Sequence, residues 1–253
     1  MNLRSLAFML CVWMAAAEVQ AQIPPTTRQL LVTVAEGWDS HRGSMWWFSR
    51  GVVNGSWQWQ ATRAEPIAVL LGKNGLAWGR GLLPVPHGER GVPSKQERDG
   101  RAPAGCFALG MLFGYAATAP ENVKYPYYQV TARDCWIDDV NHPAYNKHVT
   151  VNVNHPPPWY AKQRMRLGDF AYEWLLEIRH NAAPPVAGAG SAIFFHVRRG
   201  RDSPTSGCTT MQRENLLGLL GWLQPAAQPL YVLLPRAEYQ ARLKSWGLPA
   251  LPP

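Results

Sequence analysis

Apolar residues run almost unbroken through residues 29–35, Gln-Leu-Leu-Val-Thr-Val-Ala, and their β-branched content predicts a strand. Two more strands are expected over 44–49 and 56–60, flanking the turn Gly51–Gly55. Residues 66–71 form a short apolar run, and residues 147–153 alternate, with Val149, Val151 and Val153 on one face. Residues 172–179 predict another strand, residues 191–197 are apolar around His196, and residues 229–234 supply a last strand. One helix stands out. Thr209 with Gln212 three residues on matches a capping box, and Leu216, Leu217, Leu220 and Leu223 follow on one face before Pro225. By contrast, residues 72–106 are dense in Gly, Pro, Lys and Arg with little period, which predicts a long loop or a set of tight turns. No internal repeat, heptad or linker divides the chain. The pattern is mainly β with one or two short helices, in one domain.

Composition narrows this further. At 253 residues, 47% hydrophobic and 17% charged, the chain has enough apolar surface for a sizeable core and is no disordered polymer. Twenty-two glycines and twenty-two prolines favour short strands and turns over long helices. A net charge of +8 suits an anionic partner.

The first residues choose among such partners. Arg4 precedes an apolar run from Leu6 to Ala17, and Val19-Gln20-Ala21 offers a signal-peptidase site, so residues 1–21 are expected to be a secretory signal cleaved after Ala21. The run is too short to span a bilayer. Cys11 lacks the small preceding residue of lipoprotein processing, so no lipid anchor and no stable membrane insertion are expected. Export to the periplasm or cell envelope argues against nucleic acid as the partner. The cations show no dense cluster beyond Arg198, Arg199 and Arg201.

Export also makes the cysteines informative. Three remain after the signal: Cys106, Cys135 and Cys208. Cys106 and Cys135 are candidates for a disulfide, which would leave Cys208 as the odd thiol in an oxidising compartment. The predicted helix would start right after Cys208, where partial positive charge favours a thiolate. His196 lies twelve residues upstream at a strand end, within reach through a tight loop. Such a Cys–His pair suits acyl transfer through a thioester, and amides around Gly207 and Cys208 would form an oxyanion hole.

The ordered motifs go beyond that pair. Ser191-Ala-Ile-Phe-Phe-His196 with Pro204-Thr-Ser-Gly-Cys208 resembles the active-site signature of the L,D-transpeptidase catalytic domain (YkuD type), in the branch with a Pro-Thr-x-Gly-Cys core. Similar stretches are Gly72-Lys-Asn-Gly-Leu-Ala-Trp-Gly-Arg-Gly81, Lys95 with Asp99-Gly-Arg-Ala-Pro-Ala-Gly105, and Phe107-x-Leu109-Gly110. Cys135-Trp-Ile-Asp-Asp139, Tyr145-Asn146 and His180-Asn181 also fit, so the likeness runs from about 29 to 235. The resemblance implies a β-sandwich or curved mixed sheet with a helix following the catalytic cysteine, a catalytic domain over residues 22–235, and a tail over 236–253 packed on it. It implies a cysteine enzyme acting on peptidoglycan tetrapeptide stems, releasing D-alanine and passing the acyl group to a neighbouring stem's amine. Cys208 would be the nucleophile and His196 the base, oriented by a backbone carbonyl; Gly207 and Ser206 would lie at the oxyanion. Arg198, Arg199, Asn181, Tyr145 and Asp139 are the expected substrate contacts. No cofactor is implied.

Two positions depart from the family. Ser206 stands where many members carry a histidine, and Thr210 where they carry Arg or Asn, so a basic group for substrate must come from elsewhere, with the adjacent arginines as candidates. Water as acceptor would make the same scaffold an L,D-carboxypeptidase or other stem hydrolase, and a silent site would leave a wall-binding module. The bland readings are specific too. Asp138 and Asp139 could hold His142 or an arginine in the pocket but suit a turn before Pro143 better, and His142, His148 and His155 match no zinc spacing, so no metal is expected. Trp46, Trp47, Trp57 and Trp59 suit core packing or one exposed aromatic face better than a sugar platform.

Overall fold

The computed structural model describes residues 22–86 and 91–252; the expected signal segment lies outside them. The uninterrupted apolar run near the start is a strand buried along its whole length, β1 (Gln29–Ala35). It is followed by β2 (Arg42–Val53), β3 (Ser56–Ala61), β4 (Ile67–Leu70), β5 (Leu76–Trp78) and β6 (Ala102–Gly114). The second half adds β7 (Tyr127–Gln129), β8 (Asp134–Trp136), β9 (His148–Thr150), β10 (Trp174–Ile178), β11 (Phe194–Val197), β12 (Thr209–Met211) and β13 (Leu230–Pro235). Among the described residues three α-helices complete it: α1 (Tyr160–Gln163), α2 (Arg213–Trp222) and α3 (Arg236–Arg242). The protein is mainly β, and its main sheet is mixed.

That sheet returns on itself. In the order β1-β13-β6-β10-β11-β12-β4-β2, each strand pairs with the next, and β2 pairs back with β1. The ring leaves few edges to pair with strangers. The length of β2 makes closure possible: its first half lies between β4 and β1, and its far end leaves the ring to pair with β3. Inside pack Phe48, Phe107, Phe195 and Tyr231, all essentially buried, with Leu216, Leu219 and Leu220 of α2 beside them. Each fully buried side chain of this size contributes about 1.5–3 kcal/mol. Residues after β13 join the same core through Tyr239, Trp246 and Leu248. Among the described residues no helix is long and apolar enough to cross a membrane.

Two sequence expectations fail here for physical reasons. The stretch 72–106 is not loop throughout: it contains β5 and opens β6, a thirteen-residue central strand. Glycine and proline hide that strand because neighbours press on it; a side chain at Gly110 would fall 1.9 Å from the Glu177 carboxylate. The capping box at Thr209 does not form. Thr209–Met211 is a strand, the Thr209 hydroxyl meets the Tyr231 hydroxyl at 3.0 Å, and α2 begins only at Arg213 with Gln212 before it. Tertiary pairing with β11 outweighs the local signal. Cys106 and Cys135 are both buried and free, not joined.

Candidate active site

The parallel pair β11–β12 carries the candidate site. Its register sets Phe195 against Thr209, His196 against Thr210 and Val197 against Met211. Since side chains alternate, His196, Thr210 and Cys208 share one face, which lines a cavity of about 570 Å³. Below it lies a small apolar cluster of Phe113, Val130, Met165, Leu175 and Phe194, against which Tyr172, Ala192 and Cys208 pack.

The loop into Cys208 is fixed by one threonine. The Thr205 hydroxyl accepts the Gly207 amide at 3.0 Å and donates to the Cys208 carbonyl at 2.6 Å. Thr205 is itself bound to the segment just after β4, its amide donating to the Leu71 carbonyl and its carbonyl accepting the Lys73 amide, both at 2.8 Å. Gly207 adopts φ +154, and a side chain there would sit 3.0 Å from the Arg101 carbonyl and 3.1 Å from Ile193 Cδ1. Only glycine fits this approach.

The sulfur of Cys208 lies between two backbone groups: it accepts the Phe194 amide at 3.4 Å and donates toward the Ala192 carbonyl at 3.5 Å. Burial pushes its pKa up to about 11, with the Phe194 amide, Lys95 and Arg199 pulling the other way. His196 Nδ1 donates to the Val197 carbonyl at 2.9 Å, so a backbone carbonyl holds the ring. Tyr172 packs edge-on against it, centroids 5.0 Å apart. Burial, the largest influence, takes the His196 pKa down to about 4. At neutral pH the pair is therefore thiol plus neutral imidazole. This corrects the expectation of a thiolate at a helix N-terminus: β12 separates Cys208 from α2, and desolvation dominates.

Around this pair the walls alternate in charge. Lys95, nearly fully buried, holds Asp99 at 2.5 Å; Arg199 holds Asp169 at 2.5 Å and stacks over Tyr172 at 4.8 Å; Arg98 stands 3.8 Å from Asp138. Glu97 lines the same cavity and accepts the Tyr145 hydroxyl. Among the expected substrate contacts, Arg199 alone lines the cavity. Arg198 faces a separate cavity with Arg42 and Arg236. Asn181 is buried and spends its amide on Val186 and Gly190, closing a loop. Tyr145 stands behind Glu97, and Asp139 caps a turn by accepting the Asn141 amide, leaving its neighbour Asp138 on the cavity. Ser206 lines the cavity with its side chain exposed. The Gly207 amide is already used by Thr205, so it is not a free oxyanion donor in this arrangement.

Lys95, Glu97, Arg98, Tyr172 and Ser191 line the cavity without having been singled out as site residues, and Asp138, weighed against a turn role, lines it 3.8 Å from Arg98. The signal for Lys95 was its place in the motif with Asp99-Gly-Arg-Ala-Pro-Ala-Gly105; its burial belongs to the fold. The others come from turns whose placement depends on the ring closing. Comparison of the chain with protein-family models, with curated proteins and with solved structures finds no match in any of the three.

Proposed function

We propose that the protein is an exported cysteine L,D-transpeptidase acting on peptidoglycan tetrapeptide stems. The observation that supports this best is the meeting of Cys208 and His196 on one face of β11–β12, at the wall of one cavity. Together with the motif resemblance, this favours acyl transfer over binding alone. On this reading the closed mixed sheet is a form of the L,D-transpeptidase scaffold, and the helix after the cysteine is α2, displaced by one short strand.

The chemistry follows from the two depressed charges. The thiol proton passes to His196 as Sγ attacks the carbonyl of the third stem residue, since neither group is ionised beforehand. The carbonyl oxygen takes the negative charge. On collapse the C–N bond breaks, and D-alanine leaves with the proton from His196. The thioester is then attacked by a stem amine, which returns its proton through His196 and frees the thiol. Arg199, part-exposed on the cavity wall beside Asp169, is the cation placed to stand in for the absent basic residue at 210. The net positive charge draws the enzyme towards the anionic wall by a salt-sensitive attraction.

The test is mass spectrometry of tetrapeptide-stem muropeptides incubated with wild type and with Cys208→Ala. Loss of D-alanine with cross-linked dimers, absent in the variant, is the expected result. Loss without dimers would make water the acceptor and the protein a carboxypeptidase. No change with wild type would overturn the enzymatic reading.

A further inference from the structure

The buried amide of Asn146 is bonded to capacity. Its oxygen accepts the Trp136 indole N–H at 3.1 Å and the Ala192 amide at 3.0 Å; its nitrogen donates to the carbonyls of His180 at 3.0 Å and Asn181 at 2.8 Å. Four bonds exhaust what an asparagine side chain can make. The residue is 7% exposed. One of these partners leads to the nucleophile. Ala192 adopts φ +55, a left-handed conformation that a residue with a Cβ takes only when its surroundings impose it. In that conformation its carbonyl points at the Cys208 sulfur, 3.5 Å away, while two residues on the Phe194 amide meets the same sulfur.

We infer that Asn146 is a positioning residue for Cys208, holding Ala192 in its left-handed conformation so that the Ala192 carbonyl keeps the sulfur protonated and aimed until substrate arrives. The sequence of contacts is short: Asn146 oxygen, Ala192 amide, Ala192 φ, Ala192 carbonyl, thiol. A carbonyl can stabilise only the protonated sulfur, so this contact adds to burial in keeping the thiol neutral at rest. It also fixes the direction from which the sulfur leaves. The role in turnover rests on the acyl-transfer reading above; the effect on the thiol does not.

Alkylation of Cys208 by iodoacetamide, followed by peptide mapping as a function of pH, separates the two. Asn146→Leu removes all four bonds and keeps the branching at Cγ. Ala192→Val leaves Asn146 untouched and makes φ +55 unfavourable through β-branching. Ala192 is only partly buried, so the second variant keeps the test open where the first does not fold. Both should move the alkylation midpoint down by about one pH unit, raising the rate at pH 8 roughly tenfold. Acyl transfer from muropeptides should fall by about tenfold or more in the same variants. The conservative Asn146→Asp keeps the acceptor for Ala192 and loses the donation to His180 and Asn181, so its midpoint should not fall below that of wild type. The charged and titratable groups that face the sulfur, Lys95, Arg199, Tyr172 and His196, are the same in every variant; Asn146→Asp adds one carboxyl behind Ala192, whose charge can only raise the midpoint. An unchanged midpoint in folded Ala192→Val, or an equal shift in Asn146→Asp and Asn146→Leu, would overturn the inference. Failure of wild type to transfer acyl groups would defeat the proposed activity and leave the alkylation result standing.

Discussion

At the scale of single residues, Cys208 and His196 each lie on the neutral side of their ordinary titration, and this sets how the site responds to pH. With the thiol at about 11 and the imidazole at about 4, the thiolate fraction grows steadily across the neutral range with no plateau near 7. Alkylation of Cys208 should therefore accelerate about tenfold per pH unit from 7 to 10. A plateau at pH 6 to 7 would mean a preformed ion pair and would refute this account of the resting state. Thr205 is the second residue on which the site depends, because one hydroxyl serves two backbone groups of the loop. Thr205→Val keeps the shape and removes both bonds, leaving the Gly207 amide free to rotate. We expect a stability loss of about 1–3 kcal/mol and a fall in turnover with little change in KM, read by thermal melting and steady-state kinetics. Cysteine, histidine and the Pro-Thr-x-Gly core were readable directly from the sequence. Of the wall residues Arg199 was readable beside them, whereas Lys95 and Arg98 were not, because the connection from β5 to β6 meets the one from β11 to β12 at the cavity only in the folded chain.

At the scale of elements, tight junctions between strands matter more than local propensity. The segments read correctly from pattern were those with a single apolar face or a continuous run, such as β1, the β2–β3 hairpin and β13. Those misread include β5, β6 and β12, and the alternation over 147–153 is strand only in β9 (His148–Thr150). In β6, glycines answer the pressure of neighbouring side chains, and in β12 a capping pattern is overruled by pairing with β11. The arrangement of Trp residues shows the same dependence on tertiary context: Trp46 and Trp47 are buried in β2, while Trp57 on β3 is half exposed under the Arg28 guanidinium. Gly72 marks the junction that bears on the site. It bridges to Thr205, and a Cβ there would meet the Ala102 nitrogen and the Gly100 carbonyl at 2.5 Å, both backbone atoms that cannot swing aside. Gly72→Ala should thus push the loop holding Thr205 away from the start of β6. The expected cost is about 2–4 kcal/mol, with Cys208 more accessible to alkylating agents. A melting temperature and alkylation rate equal to wild type would show that this junction yields at no cost.

At the scale of the whole molecule, closing the sheet buries groups that would rather be charged, and acid should expose that cost. His180 is held neutral inside the fold, its Nδ1 accepting the Arg80 amide at 3.2 Å and its Nε2 donating to the Ala189 carbonyl at 2.9 Å. Burial takes its pKa down to about 3, and that of His196 to about 4, from the ordinary 6.5 of an exposed ring. Between those limits the unfolded chain binds protons that the folded one refuses, so stability is fully present above about pH 6.5 and falls as the pH drops towards 4. Each histidine contributes a slope of up to about 1.4 kcal/mol per pH unit in that window. Asp134, whose carboxyl is held below its usual 3.8 by hydrogen bonds from Thr131 and His148, adds a loss only at still lower pH. Glu177 works in the opposite sense, since burial raises its pKa above 4.5 and its protonation near there suits the folded state. The two histidines outnumber it and act over a wider range, so the net slope between pH 6.5 and 4.5 should be positive. His180→Gln preserves a donor and an acceptor without a titrating ring. It should lower stability at pH 7 and flatten the acid slope by about half, measured by urea unfolding at half-unit pH intervals. A variant slope equal to wild type would show that the acid sensitivity arises elsewhere.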